Sequence, residues 1–109
     1  MKKAFIATVL LSAVCMAGAV IGPDRAAAGS SGEALFKQHC AVCHPDGGNI
    51  INPQKTLHKK DRDANTIKTA ADIVHTMRNP GLGMTKFDEK TILDKDAKEI
   101  AEYILKTFN

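Results

Sequence analysis

Five consecutive residues, Cys40-Ala41-Val42-Cys43-His44, constrain this chain more than any other stretch. Two thiols three residues apart, with an imidazole directly after the second, form the c-type haem attachment pattern. The spacing has a mechanical meaning. On a helix, positions i and i+3 share a face, so both thiols can reach two carbons along one edge of a porphyrin. His44, one residue further round, is then placed to bring an imidazole nitrogen to the iron. Three other uses of a CxxC pair compete with this one. A redox dithiol wants a βαβ context, which the sequence lacks. A zinc module wants a second CxxC or a spaced His pair, and neither follows. A structural disulfide would leave His44 without a task.

The chain has 109 residues, enough for one small domain. Its start has the composition of an export signal: Lys2 and Lys3, an apolar run from Ala4 to Ile21, then Ala26-Ala27-Ala28. Cleavage is expected after Ala28, which leaves residues 29–109 as the working domain. Two alternatives keep the chain at a membrane. The apolar run is long enough to span one if it is retained. Cys15 is a lipidation candidate, although Val14 is bulkier than the small residue such a site prefers. Export suits the chemistry, because it delivers the chain to the compartment in which haem is attached to CxxCH motifs. Cleavage also removes Cys15, so that both remaining thiols are used. Loss of Lys2, Lys3 and Arg25 together with Asp24 brings the 15 basic and 12 acidic residues close to balance. Nucleic-acid binding gains no support from such a charge. A domain this small often needs a staple, and a covalently attached porphyrin offers a large apolar face for helices to pack on.

The rest of the chain reads as all-α. A first helix is expected over Glu33–Cys43, with Ser31 or Gly32 near its N-cap, Leu35 and Phe36 facing the core, and His39 on the surface. Pro45 stops it. Asp46-Gly47-Gly48-Asn49 is turn chemistry, and the Gly pair would let backbone lie close to a flat ligand. A carbonyl near Asn52 or Pro53 is the expected acceptor for His44 Nδ1–H, a bond that orients the imidazole. Gln54 to about Asp63 reads as a short helix with Leu57 inward and Lys55, His58, Lys59, Lys60, Asp61, Arg62 and Asp63 outward. Thr69 opens another, with Asp72 completing a capping box and Ile73, Val74 and Met77 on one apolar face. Asn79-Pro80-Gly81 ends it. Asp94 is expected to cap a last helix running to about Phe108, with Ile100, Ile104 and Leu105 as its buried stripe.

A sixth ligand opposite His44 has five candidates. His39 sits on the attachment helix and cannot reach the far face of the ring. Met77 lies on an apolar stripe, where methionine is usually core. His75 is off that stripe, and His58 is embedded among lysines. Met84 follows a helix on a loop in which Gly81 and Gly83 free the backbone to approach the porphyrin. Met84 is therefore the first choice, with His58 and His75 behind it, and His/Met ligation raises the iron's potential.

These motifs together resemble the class I monohaem cytochromes c, and most of all their c6-like branch. Gly32-Glu33-Ala34-Leu35-Phe36, Cys40 to His44, Gly47-Gly48-Asn49, Lys55-Thr56-Leu57, Asn79 with Met84, and Glu99 to Leu105 with Tyr103 follow that order and spacing. Within the branch, the chain is most similar to small monohaem cytochromes of metal-reducing bacteria, some tethered to the outer membrane. The resemblance implies about four helices wrapped around one haem c with one edge exposed. It carries over Cys40 and Cys43 as thioether residues, His44 as proximal ligand and Met84 as distal ligand. It also places Asn49 and Lys55 near the haem, toward its propionates. Two positions depart from the family pattern: Thr85 where Pro often follows the ligand Met, and Pro80 where Gly is usual.

The expected function is one-electron transfer, with no bond made or broken in a substrate and hence no enzymatic activity. The expected setting is the periplasm or the outer membrane, and the expected partners are other redox proteins such as multihaem cytochromes or membrane oxidoreductases. The alternative is a haem peroxidase or gas sensor with a labile Met84. That function wants a distal acid–base group, for which His58, His75 and Arg78 are available. A haem-free dithiol or zinc module is the third reading.

Overall fold

The computed structural model describes residues 24–109, with side chains from residue 32 onward. The apolar run and Cys15 lie outside the described residues. Four helices appear in order: α1 (Asp24–His39), α2 (Lys59–Ala64), α3 (Ala70–Arg78) and α4 (Asp94–Thr107), with one 3₁₀ turn at Pro45–Gly47. Among the described residues there is no strand. The fold is all-α, as expected. No described helix is long and apolar enough to cross a membrane.

α4 packs against both α1 and α3. The α1–α4 contact is unusually close at Gly32. A β-carbon there would fall 2.6 Å from the Glu99 carbonyl oxygen and 3.1 Å from Tyr103 Cβ. Gly32 is therefore not near a helix N-cap. It lies inside α1, where glycine is normally unfavourable by about 1 kcal/mol, and it is there because only hydrogen fits. One turn later Phe36, 3% exposed, meets the rings of Tyr103 and Phe108 at centroid distances of 5.4 and 5.3 Å. Such aromatic pairs add about 0.5–1.5 kcal/mol each beyond the area they bury. Cys40, Ile73, Met77, Ile92, Ala97, Ile100, Ala101 and Ile104 complete the core. Leu105, expected in the buried stripe, is only half-buried.

α1 ends at His39, earlier than expected. The Phe36 carbonyl accepts both Cys40 N–H (2.8 Å) and Ala41 N–H (3.0 Å), so the register slips by one residue. The Cys40 carbonyl then accepts Cys43 N–H (3.2 Å) and His44 N–H (2.9 Å), a single detached turn. The attachment motif thus hangs from α1 instead of continuing it. The Gly pair that follows also differs from expectation. Gly47 adopts φ +78°, and a β-carbon on it would stand 2.5 Å from Phe108 Cδ1. The flat group it makes room for is the Phe108 ring.

α2 is shorter than the sequence suggests and begins only after a turn at Asn52–Lys55. Arg62, expected on its solvent face, is 4% exposed. Its Nε donates to Leu57 O (2.7 Å) and its Nη2 to Phe108 O (3.1 Å), and the Phe108 carbonyl also accepts Lys59 N–H (3.0 Å). A planar guanidinium with five donors is what allows one side chain to staple α2 to the chain's end. The α3 capping box forms as expected: Thr69 Oγ1 accepts Asp72 N–H (3.1 Å) and Asp72 Oδ2 accepts Thr69 N–H (2.9 Å). At α4 the N-cap is Leu93, and Asp94 sits one residue inside, where its carboxylate pairs with Arg78 (2.8 Å).

Candidate haem site

The detached turn, the chain from Asn49 to Leu57, α3 and the loop from Gly81 to Phe87 enclose a cavity of about 520 Å³. That volume lies in the range typical of small-molecule and cofactor sites. Cys40, Cys43 and His44 form one wall, and Gly81 to Thr85 with Phe87 contribute another. Leu57, Ile67, Ile73, Met77 and Ile104 supply apolar lining.

Each group of the attachment motif has a defined environment. Cys40 is buried, and burial, assisted by the neighbouring Cys43, pushes its thiol up to about 11. Both cysteines are free thiols. His44 is buried, with Nδ1 2.6 Å from the Gly48 carbonyl oxygen. A carbonyl can only accept, so Nδ1 carries the proton and Nε2 keeps its lone pair for a metal. The acceptor is therefore not near Asn52 or Pro53. Pro45 starts a 3₁₀ turn that folds the chain back within four residues, bringing the Gly48 carbonyl to the ring first. Two thiols and an unprotonated imidazole nitrogen at the wall of an apolar cavity are a donor set that fits a covalent haem.

The remaining sequence candidates separate clearly. Met84 is half-buried and lines the cavity, while Met77, 3% exposed, lines it from within the core of α3. Asn49 and Lys55 also line it. The Asn49 side chain is largely engaged with backbone: Oδ1 accepts Ile51 N–H (2.9 Å) and Asn52 N–H (2.8 Å), and Nδ2 donates to Lys55 O (2.9 Å). Its first role is to shape the loop. Lys55 is exposed, and its ammonium would be 3.9 Å from a β-carbon on Gly81, so it reaches toward the Met84 loop. His39 is not a plain surface residue. It is half-buried beside the cavity, its ring edge-on to Phe87 at 6.0 Å. His75 is exposed at the cavity's edge, whereas His58 lies edge-on to Phe108 at 5.8 Å, outside the lining.

Three cavity-lining residues are apolar yet open to solvent: Val42, Ile51 and Leu82, the last fully exposed. They rim the cavity on the attachment turn, the Asn49–Leu57 segment and the Met84 loop. Among the described residues no three His, Cys, Asp or Glu side chains come together, so a zinc module has no ligand set beyond the Cys pair itself.

A family of haem domains described as cytochrome c oxidase, cbb3-type, subunit III matches residues 27–104. The chain belongs to this cytochrome c family. This cytochrome is similar to cytochrome c6 from Cyanidium caldarium, with 36% identity over 68% of this chain and 66% of that one. It is also similar to cytochrome c6 from Bumilleriopsis filiformis, 35% identical over 69% of this chain and 86% of the other. Among solved structures it resembles OmcF, the outer membrane cytochrome F from Geobacter sulfurreducens. The TM-score is 0.70, at 47% identity over 72% of this chain and 99% of OmcF. It is a c6-like class I monohaem cytochrome that carries one covalent haem c and transfers electrons.

Three residues with structural tasks in the fold are not marked as such by the sequence. Arg62 reads as a solvated charge, Arg78 as a candidate distal acid–base group, and Gly32 as a residue near a helix N-cap. No periodic signal marks any of them, because the partners that define them lie nine or more residues away.

Proposed function

We propose that this cytochrome is a one-electron carrier whose iron is held between His44 and Met84, with Cys40 and Cys43 as the thioether residues. The observation that carries this reading is the shared cavity. It holds a buried His44 with Nε2 unprotonated on one wall and a half-buried thioether, Met84, on a glycine-freed loop. When bound there, haem c supplies a one-electron Fe(III)/Fe(II) couple. The protein's residues do the rest. The Gly48 carbonyl fixes the His44 ring and makes it a stronger donor. With haem c bound, the Met84 sulfur would favour the ferrous state and raise the potential, and His44 and Met84 together would leave no position open for a substrate. Asn49 holds the loop that brings Lys55 to the cavity, where its ammonium suits a propionate. The exposed rim of Val42, Ile51 and Leu82 provides an apolar surface for close approach of a redox partner, which we take to be a multihaem cytochrome or a membrane oxidoreductase.

Support for a carrier over a peroxidase or sensor comes from the wall around Met84. The residues flanking Met84 in its loop, Gly81, Leu82, Gly83 and Thr85, carry no group that transfers protons at neutral pH, and of the three distal acid–base candidates only His75 lines the cavity, at its exposed edge. Arg78 is directed elsewhere. We place the protein outside the cytoplasm, with residues 1–28 as the export segment and 29–109 as the cytochrome domain. Periplasmic and outer-membrane-associated forms both agree with the charged, then apolar, start of the chain and with the likeness to OmcF.

The test is the absorption spectrum of the purified holoprotein. Ferric protein should show the far-red charge-transfer band of Met-ligated haem, and Met84→Ala should abolish it. A ferric spectrum with high-spin bands and no far-red feature would favour the enzyme or sensor reading instead.

A further inference from the structure

Arg78 ends α3, and the haem site as described gives it no task. Its side chain is 15% exposed and does not line the cavity. Nη1 donates to two successive carbonyls, Phe87 O (3.0 Å) and Asp88 O (3.1 Å), and Nη2 to Asp94 Oδ1 (2.8 Å). The residue before it adds a fourth bond, Phe87 N–H to Met77 O (2.9 Å). The loop that carries Met84 thus leaves α3 at Asn79 and returns at Phe87 and Asp88 to the same end of the same helix.

Between those two points the loop has little to hold it. Gly81, Leu82, Gly83, Thr85 and Lys86 are exposed, and Gly83 adopts φ +89°. Its contact with the facing segment is at Ile51, where a β-carbon on Gly83 would be 3.2 Å from Ile51 Cγ2. Order at Met84 must therefore come from the anchors, and the return anchor is Arg78.

We propose that Arg78 is the positioning residue for Met84: its guanidinium clamps the loop closed over the sixth coordination position and so governs how firmly the thioether is retained. This rests on the reading of Met84 as the distal ligand. The physical argument is the donor count. Arginine presents a planar fork of donors that can serve two carbonyls and a carboxylate at once, which a lysine ammonium cannot reproduce in the same geometry. Hydrogen bonds from a charged donor are stronger than neutral ones, and their loss here acts on local opening, the low-stability end of the molecule's fluctuations. Loss of the clamp should raise the open population roughly ten- to hundredfold, as expected for one or two charge-assisted bonds.

Imidazole binding to the ferric holoprotein, followed by loss of the far-red band, reads that population directly. Arg78→Met should keep the band without imidazole yet bind imidazole roughly ten- to hundredfold more tightly than the parent. Arg78→Lys should recover only part of the difference. Asp94→Asn should stay near the parent, because the two carbonyl bonds remain. Gly32→Ala, at the distant helix crossing, loosens the fold without touching the loop and should leave imidazole affinity unchanged. Equal affinity in Arg78→Met and the parent, while Met84→Ala binds imidazole freely, overturns the clamp and leaves Met84 as ligand. An increase in Gly32→Ala matching that of Arg78→Met overturns it too, since the effect is then general loosening. If Met84→Ala itself changes neither band nor affinity, the ligand reading fails first. Should Arg78→Met not accumulate as holoprotein, Arg78→Lys carries the test, and parent-like affinity there overturns the proposal.

Discussion

Gly32 on α1 and Tyr103 on α4 stand so close that a single added β-carbon would fall 3.1 Å from Tyr103 Cβ and 2.6 Å from the neighbouring Glu99 carbonyl oxygen. Neither atom can rotate away: Tyr103 Cβ is fixed to its backbone, and a carbonyl inside a helix moves only if the helix moves. The crossing in turn sets where Phe36 meets Tyr103 and Phe108.

Gly32→Ala should therefore destabilise the holoprotein by about 1–3 kcal/mol, the usual range for overpacking, against the gain that alanine gives an ordinary helix position. Denaturant melts of the parent and the variant measure it. A stabilised variant would mean that the helices separate without penalty and that the close crossing is not a constraint.

Arg62 supplies a second long-range tie. Arg62→Met keeps the apolar stem but leaves Leu57 O without the donor that Nε provides and removes one of two donors to Phe108 O. An expected loss of about 1–3 kcal/mol follows. Hydrogen exchange at Lys59, whose N–H shares the Phe108 carbonyl, should accelerate while the amides of α3 stay protected.

The two cavity methionines should behave differently. Met84→Ala should give high-spin ferric iron that binds cyanide or imidazole readily, and Met84→His should remain low-spin with a lower potential. Met77→Leu replaces one core-filling side chain by another of similar volume and should keep the far-red band. Loss of the band in Met77→Leu with retention in Met84→Ala would reverse the assignment.

Acid should reveal the α3 cap. Backbone N–H groups of Lys68 and Thr69, then the Thr69 hydroxyl, hold the Asp72 carboxyl below its ordinary value of 3.8. A lowered folded pKa means that the cap's contribution is present above the ordinary value and is lost as pH falls through the folded one. The stability gap between the parent and Asp72→Asn should be constant from neutrality into the mildly acid range and then close below pH 3.8. A gap that widened on acidification would contradict the hydrogen-bond account.

Much of this molecule was legible in local pattern. Cys40, Cys43 and His44 announce their chemistry through spacing alone, because a porphyrin edge and an axial nitrogen impose it. Thr69 and Asp72 announce a helix start, since a capping box closes within one turn. Ile73 with Met77, and Ile100 with Ile104, show a buried face through helical periodicity. Each of these relations spans four residues or fewer, the range over which backbone geometry dictates who meets whom.

What only the tertiary structure decided lies beyond that range. Arg62 reads as one more solvated charge until Phe108, forty-six residues away, brings a carbonyl over it. Arg78 reads as a candidate distal acid–base group until the loop returns to it. Gly47 suggests room for a flat ligand, and it does lie against a flat group, but the ring is Phe108. Gly32 looks like a residue near a helix N-cap until α4 arrives. The register slip at Ala41 and the Gly48 acceptor for His44 are short-range, yet no residue pattern in the sequence marks either. Sequence spacing specifies which groups can act together along one helix or turn. Which carbonyl, ring or helix a side chain meets across the fold depends on where the packed elements cross, and that crossing is decided by sterics at positions such as Gly32, where the absence of a side chain is the information.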